Sequence, residues 1–323
     1  MCQFKAFSKL YQASCTFRSK PPRKKNSRQG LHTVIFLYFY QIKIFFISQN
    51  PSFMYQSLSL HIQGQVAYLS LNRPEKANAL NEDFWKELPQ AMQQLDEDAS
   101  VRAIVLRAEG KHFSAGIDLQ MLMQMKQMTD AESCPGRARE KLRRFILGLQ
   151  ASISSIEACR KPVIAAIQGA CIGGAIDLIT ACDMRYVSEQ ASFCVKEIDL
   201  GIVADLGTLQ RLIKLVPYGI ATEWALTACT ISAAEAGRTG LANRVLPDTA
   251  ALEAEVKKVA ESIAAKSPLT ARGTKQVLLH ARDHSVAEGL DYVATWNSGQ
   301  LISKDIEAAI MASLSKQEAR FMD

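Results

Sequence analysis

The sequence predicts an α/β fold with parallel strand pairing, and three observations carry that reading. Short β-branched and aliphatic runs alternate with segments whose apolar residues recur at spacings of three and four. The strand–turn–helix unit returns at intervals of roughly 40–60 residues. Glycines follow two of the strands, at Gly110 and Gly169, where the chain must turn sharply into its next element.

The elements follow in order from Met54. Residues 58–62 and 66–71 read as strands joined at Gly64. Asn81 caps a helix in which Phe84, Leu88, Met92 and Leu95 share a face, and Pro89 is expected to kink it. Residues 101–106 form a buried strand, and the Met-rich stretch beyond it reads as a loop. A second helix aligns Leu142, Phe145, Ile146, Leu149, Ile153 and Ile156. Residues 162–167 give the next strand and 174–181 a helix, with strands again near 184–187 and 192–195. Helices are expected at 205–215, 222–227, 250–266, 285–300 and 303–316. Alone, this pattern suggests a doubly wound sheet. No G-x-G-x-x-G or G-x-x-x-x-G-K-[ST] loop follows a strand, however, so nucleotide-binding cradles have no support.

The chain carries 38 basic and 32 acidic residues, a formal net charge of +6. Such a balance prompts a search for nucleic acid. Its distribution removes the prompt. Residues 1–53 hold nine basic side chains and no carboxylate, which leaves 29 basic against 32 acidic residues in the remainder, a net of −3. The same leader holds 11 of the 24 aromatics, many in the run 34–47, which is too short to span a membrane and is broken by Gln41 and Lys43. The leader is expected to stand outside the fold, upstream of a start at Met54, with an organelle transit peptide or a surface anchor as alternatives. The body is then expected in the cytoplasm, or in mitochondria if the leader is a transit peptide. The C-terminal residues 320–323 are not a peroxisomal Ser-Lys-Leu address. The eight cysteines form no C-x-x-C pair and the five histidines no metal spacing, so a reducing compartment and no metal are expected.

Two segments repeat one physical idea. His112-Phe-Ser-Ala-Gly-Ile-Asp118 follows one strand, and Gln168-Gly-Ala-Cys-Ile-Gly-Gly-Ala-Ile-Asp177 follows another. Glycine lets backbone approach a ligand, and a helix starting at Gly174 offers free N–H groups at its positive end. Two converging N–H groups can hold negative charge developing on a carbonyl oxygen. Singly, each segment also reads as a plain tight turn.

The pair F-S-A-G-I-D-L at 113–119 and I-G-G-A-I-D-L at 172–178 resembles the signature of the enoyl-CoA hydratase/isomerase (crotonase) superfamily. Asn72-Arg-Pro74, Asn78-Ala-Leu80, Lys161-Pro-Val-Ile-Ala-Ala-Ile167 and Ala181-Cys-Asp-Met-Arg-Tyr186 extend the likeness from about residue 54 to about 316. Residues 196–212, 281–288 and 292–297 are similar to the dienoyl-CoA isomerase branch. The resemblance implies a spiral of ββα turns over 54–262 and a C-terminal helical region, 263–323, that mediates trimers or dimers of trimers. It also implies coenzyme A as part of the substrate, and no separate cofactor. Ala115, Gly116, Ile117, Asp118, Leu119 and Gly174 would contact the CoA thioester, with Arg73 or Lys76 near its phosphates. Met121, Met123, Met125 and Met128 suit an acyl slot or simple core filling.

Carried over residue by residue, the N–H groups of Ile117 and Gly174 form the oxyanion hole. Asp205 takes a proton at C2, Glu197 returns one at C6, and Asp177 supports or polarises the site. Each acid also has a plainer reading: Asp205 as an N-cap, Glu197 as a solvated strand-end charge, Asp177 as a first-turn helix acid. The implied reaction is conversion of a 3,5-dienoyl-CoA to its 2,4-isomer. The runner-up is a 2-enoyl-CoA hydratase, in which a Glu usually stands at the Asp177 position. A non-catalytic or RNA-binding scaffold is the remaining alternative. Ala175 stands where a third glycine is common.

Overall fold

The computed structural model describes residues 55–323. By its contacts the chain divides into units Met1–Phe53 and Met54–Asp323. The basic leader, and every expectation attached to it, lies outside the described residues.

Strands β1 (Leu58–Gln63) and β2 (Val66–Leu71) pair antiparallel, Leu58 opposite Leu71, around Gly64 at φ +60°. β2 is buried along its whole length, as its unbroken run of small and apolar side chains requires. Beside it, β3 (Ala103–Ala108), β4 (Val163–Ile167), β6 (Met184–Ser188) and β9 (Arg244–Leu246) continue in parallel, in the order β1-β2-β3-β4-β6-β9. A second sheet holds β5 (Ala170–Ile172), β7 (Ser192–Cys194) and β8 (Ile231–Ser232), in the order β5-β7-β8.

This corrects the doubly wound sheet. After β4 and again after β6 the chain leaves the large sheet and adds a strand to the small one, so successive turns stack as a spiral of ββα units. Gly169, at φ +58°, makes the first of these crossings. A Cβ there would lie 2.2 Å from the carbonyl oxygen of Lys111, so the close approach admits only glycine.

The helices are α1 (Glu82–Glu97), α2 (Leu119–Asp130), α3 (Pro135–Ala158), α4 (Gly174–Ala181), α5 (Thr208–Leu212), α6 (Tyr218–Thr227), α7 (Ala233–Thr239), α8 (Thr249–Ala264), α9 (Pro268–Asp283), α10 (Val286–Gln300) and α11 (Lys304–Ser315). Asn81 caps α1 by accepting from the Phe84 N–H at 3.1 Å, and Phe84, Leu88, Met92 and Leu95 are all buried in the main core. The helix runs through Pro89 as one element. On the other face of the large sheet, Leu252, Val256 and Ala260 of α8 pack on Val66, Val105 and Ile164. Helix α8 continues across the 262/263 boundary expected between core and C-terminal region.

Three helices lie where the sequence reads otherwise, the short α7 among them. The Met-rich stretch expected as a loop is α2, capped by Asp118 accepting from Gln120 N–H at 3.1 Å. Its polar residues face solvent and only Met121 is buried, so its apolar stripe is too narrow to register as a period. Helix α9 passes unread because its buried positions include Gly273 and Lys275 rather than an aliphatic stripe. Its start does carry a signature, Ser267 at the cap and Pro268 at the first position. Among the described residues, no helix is long and apolar enough to cross a membrane.

Candidate active site

The two glycine segments meet. Residues 112–118 are stitched to both neighbours by backbone bonds: Phe113 N–H donates to Gln168 O, Ser114 N–H to Ala170 O and Ile172 N–H to Ser114 O, at 2.8–3.1 Å. On the other side Leu80 N–H donates to Gly116 O, and Asp118 N–H to Leu80 O. Asn78 holds the turn from below, its amide donating to the carbonyls of Glu109 and His112 at 2.9 Å. This is the structural work of the Asn72–Leu80 region.

Gly116, at φ +88°, is the tight point where the two segments touch. A Cβ there would lie 2.5 Å from Ile172 O and 3.4 Å from Gly174 N. A Cβ on Gly174 would sit 3.7 Å from Ile117 N. The two N–H groups expected to form an oxyanion hole are thus side by side, and neither donates to another group among the described residues. Ala175 is fully buried in the first turn of α4, so the missing third glycine leaves the turn intact.

These groups open onto a cavity of about 690 Å³. The residues expected to form the oxyanion hole, contact CoA and move protons all line it, namely Ala115, Gly116, Ile117, Asp118, Leu119, Gly174, Asp177, Glu197 and Asp205, whereas Arg73, Met123 and Met128 do not. Its far wall is apolar, from α2 and α3, and includes Met121, Met125, Phe145 and Leu149. Of the four methionines, Met123 points to solvent, 66 % exposed. Lys76 stands on the rim, whereas Arg73 is tied to Ala79 O at 2.7 Å and to Asp118 at 3.4 Å.

The three acids face conditions that disfavour charge. Asp177, in the first turn of α4, is 1 % exposed, and burial pushes its carboxyl up to about 7. Hydrogen bonds from Thr208 oppose that rise, and the nearby Glu197 charge adds to it. Glu197 opens a short 3-10 turn, Glu197–Leu200, and its carboxyl is raised by burial and by the charge of Asp205. Its Oε2 is buried without a hydrogen-bond partner. Asp205 is half-buried and also raised by burial.

The plainer reading of Asp205 as an N-cap does not survive. The expected 205–215 helix is the shorter α5, whose cap is Gly207, and Asp205 instead lines the cavity. The cap-like bonds come from elsewhere: Asp177 Oδ1 accepts from Thr208 N–H at 2.6 Å and from Thr208 Oγ1 at 2.8 Å. Sequence reasoning missed Thr208, and nothing in its spacing could have signalled a partner 31 residues away. A second cavity, about 600 Å³ beneath α9, carries Asp183 and Glu157. Both are already paired, Asp183 with Lys275 at 2.8 Å and Glu157 with Arg211 and Arg282.

Comparison with known proteins gives the family and the fold. The family model described as enoyl-CoA hydratase/isomerase matches residues 61–323. The chain is 52 % identical over 256 residues to the Arabidopsis thaliana protein named peroxisomal Delta(3,5)-Delta(2,4)-dienoyl-CoA isomerase, covering 79 % of this chain and 92 % of that one. It is 41 % identical over 276 residues to the Homo sapiens protein named mitochondrial Delta(3,5)-Delta(2,4)-dienoyl-CoA isomerase, covering 85 % and 84 %. Among solved structures, an enoyl-CoA hydratase from Bacillus anthracis superposes with a TM-score of 0.74 at 30 % identity, covering 83 % of this chain and 99 % of the other. With its spiral fold and paired glycine turns, the chain belongs to the enoyl-CoA hydratase/isomerase family.

Proposed function

We propose that the protein is an isomerase of fatty acid oxidation that converts a 3,5-dienoyl-CoA to the 2,4-dienoyl-CoA. One observation carries this beyond family membership: three carboxyl groups, Asp177, Glu197 and Asp205, line one cavity together with two free backbone N–H groups. The identity to proteins named for that reaction supports it.

In this reading the thioester carbonyl oxygen accepts from Ile117 N–H and Gly174 N–H, which acidifies C2. Asp205 removes a proton from C2, and the electron pair spreads through the diene as a trienolate. Glu197, whose burial favours the protonated form, delivers a proton to C6 while the electrons return to form the C2–C3 and C4–C5 double bonds. One proton leaves the substrate and one enters, so no cofactor is consumed. Asp177 polarises the site. The pantetheine lies along residues 115–119, with Lys76 on the phosphate side.

The reaction fits an organelle rather than the cytoplasm, since the similar plant and human proteins carry peroxisomal and mitochondrial names. A homotrimer or dimer of trimers fits the C-terminal helices, because α10 and α11 have no buried residue yet carry Leu290, Ile310, Met311 and Leu314 on the surface.

The test is spectroscopic. Purified protein given a 3,5-dienoyl-CoA should produce the longer conjugated chromophore of the 2,4-isomer. Brisk hydration of a 2-enoyl-CoA without that change would replace the isomerase by a hydratase.

A further inference from the structure

Asp177 and Asp205 reach the cavity from different elements, α4 and the loop before α5, yet they are mechanically linked. The carboxylate of Asp177 accepts both the N–H and the hydroxyl of Thr208, at 2.6 and 2.8 Å, on the same oxygen, Oδ1. Thr208 is fully buried and Asp177 nearly so. Oδ2 has no hydrogen-bond partner among the described residues, and Asp177 lines the cavity.

The loop that delivers Thr208 is built for this contact. Gly207 sits at φ +126°, and a Cβ on it would lie 1.9 Å from Arg211 Nη1. That backbone turn lets Asp205 face the cavity while Thr208, three positions on, turns back to α4. Arg211 in turn holds α5 against α3, bonding Ser154 Oγ at 3.1 Å and Glu157 at 3.2 Å.

We infer that Thr208 is a positioning residue: it clamps Asp177 Oδ1 at the start of α5, leaves Oδ2 as the oxygen presented to the cavity, and fixes the spacing of Asp177 from Asp205. This rests on the isomerase reading only for its effect on turnover. The clamp itself is a property of the fold. An unclamped Asp177 could rotate toward Glu197, and two raised carboxyls meeting directly would share one proton instead of holding separate roles.

The experiment compares T208V, T208S and wild type by two readouts. Infrared spectroscopy follows the carboxylic C=O band that disappears in D177N. With the hydroxyl donor gone, the ionised form loses a stabilising bond, so the band in T208V persists to higher pH than in wild type, and T208S restores it. In the dienoyl-CoA assay, T208V lowers kcat by about tenfold with KM unchanged within about twofold, and T208S recovers most of the loss. Should T208V fail to fold, T208A takes its place. Asp177 titrating at the same pH in a folded T208V or T208A as in wild type overturns the clamp. A wild-type protein without isomerase activity overturns the proposed function instead, and the infrared titration still decides this inference.

Discussion

On one side of the cavity stand backbone N–H groups, fixed by glycine geometry and by hydrogen bonds between the turn at 112–118 and its neighbours. On the other stand carboxyl groups whose protonation is set by burial and by one another. The first half has no group that titrates in the working range, and its tolerance is steric. The second half responds to pH. The comparison teaches that one site can fail in two distinguishable ways, and mutations on each side should show different signatures.

The largest effect is expected on the backbone side. Gly116→Ala places a Cβ 2.5 Å from Ile172 O at a φ of +88°, so the turn must move and the Ile117 N–H moves with it. Loss of about 10³-fold in kcat/KM is expected from a displaced oxyanion donor. The pH profile of the residual activity should keep its wild-type shape. A G116A protein with near wild-type turnover would place the oxyanion hole elsewhere.

On the carboxylate side, Asp205→Asn should lower isomerisation by about 10²-fold, the low end of the range for a lost general base. Thermal stability should change little, because the cap position of α5 belongs to Gly207. A variant that loses stability while keeping activity would return Asp205 to a structural role.

How much of this was legible in the sequence follows the same division. The glycine turns are readable because backbone that must approach a ligand leaves a compositional trace, Gly116 and Gly174 each after a strand. The three acids are readable only through the family resemblance, since by spacing each is an ordinary helix or loop acid. Thr208 is not readable at all, because its role depends on a contact between loops that no local period encodes. The spiral is readable through the resemblance but not through periodicity, because β5, β7 and β8 are two or three residues long and pair across the chain rather than in sequence. Helix α9 packs by contact of Gly273 with Trp296 of α10, where a Cβ would lie 2.3 Å from the indole. Hydrophobic periodicity has no term for such a contact.

A stability measurement sharpens the contrast further. Asp177 has its folded-state carboxyl raised to about 7 from 3.8. Between those values the folded state holds a proton that the unfolded state has released. Stability contributed by the protonated carboxyl is therefore fully present below about pH 4 and is lost as pH rises toward about 7. Asp177→Asn, which keeps an acceptor for Thr208 and cannot ionise, should escape this loss. Its stability relative to wild type should grow by about 3 kcal/mol between about pH 5 and pH 8, read by denaturant unfolding at each pH. A constant difference across that range would mean that Asp177 is ionised throughout.

The smallest effect separates the two halves most cleanly. Ser114 is fully buried in the backbone half, where its hydroxyl donates to Asn78 O at 2.8 Å and accepts from Gly116 N–H at 3.1 Å. Ser114→Ala leaves both backbone groups unpaired in the interior, at a cost of about 1–3 kcal/mol. Part of that cost should fall on the placement of the Ile117 N–H, lowering kcat by about tenfold, while the acids stay in their wild-type surroundings. The kcat–pH profile of S114A should then superimpose on that of wild type after scaling. A shifted limb would mean that the turn and the carboxyls are coupled, and that the oxyanion hole and the proton-transfer groups act as one unit rather than two.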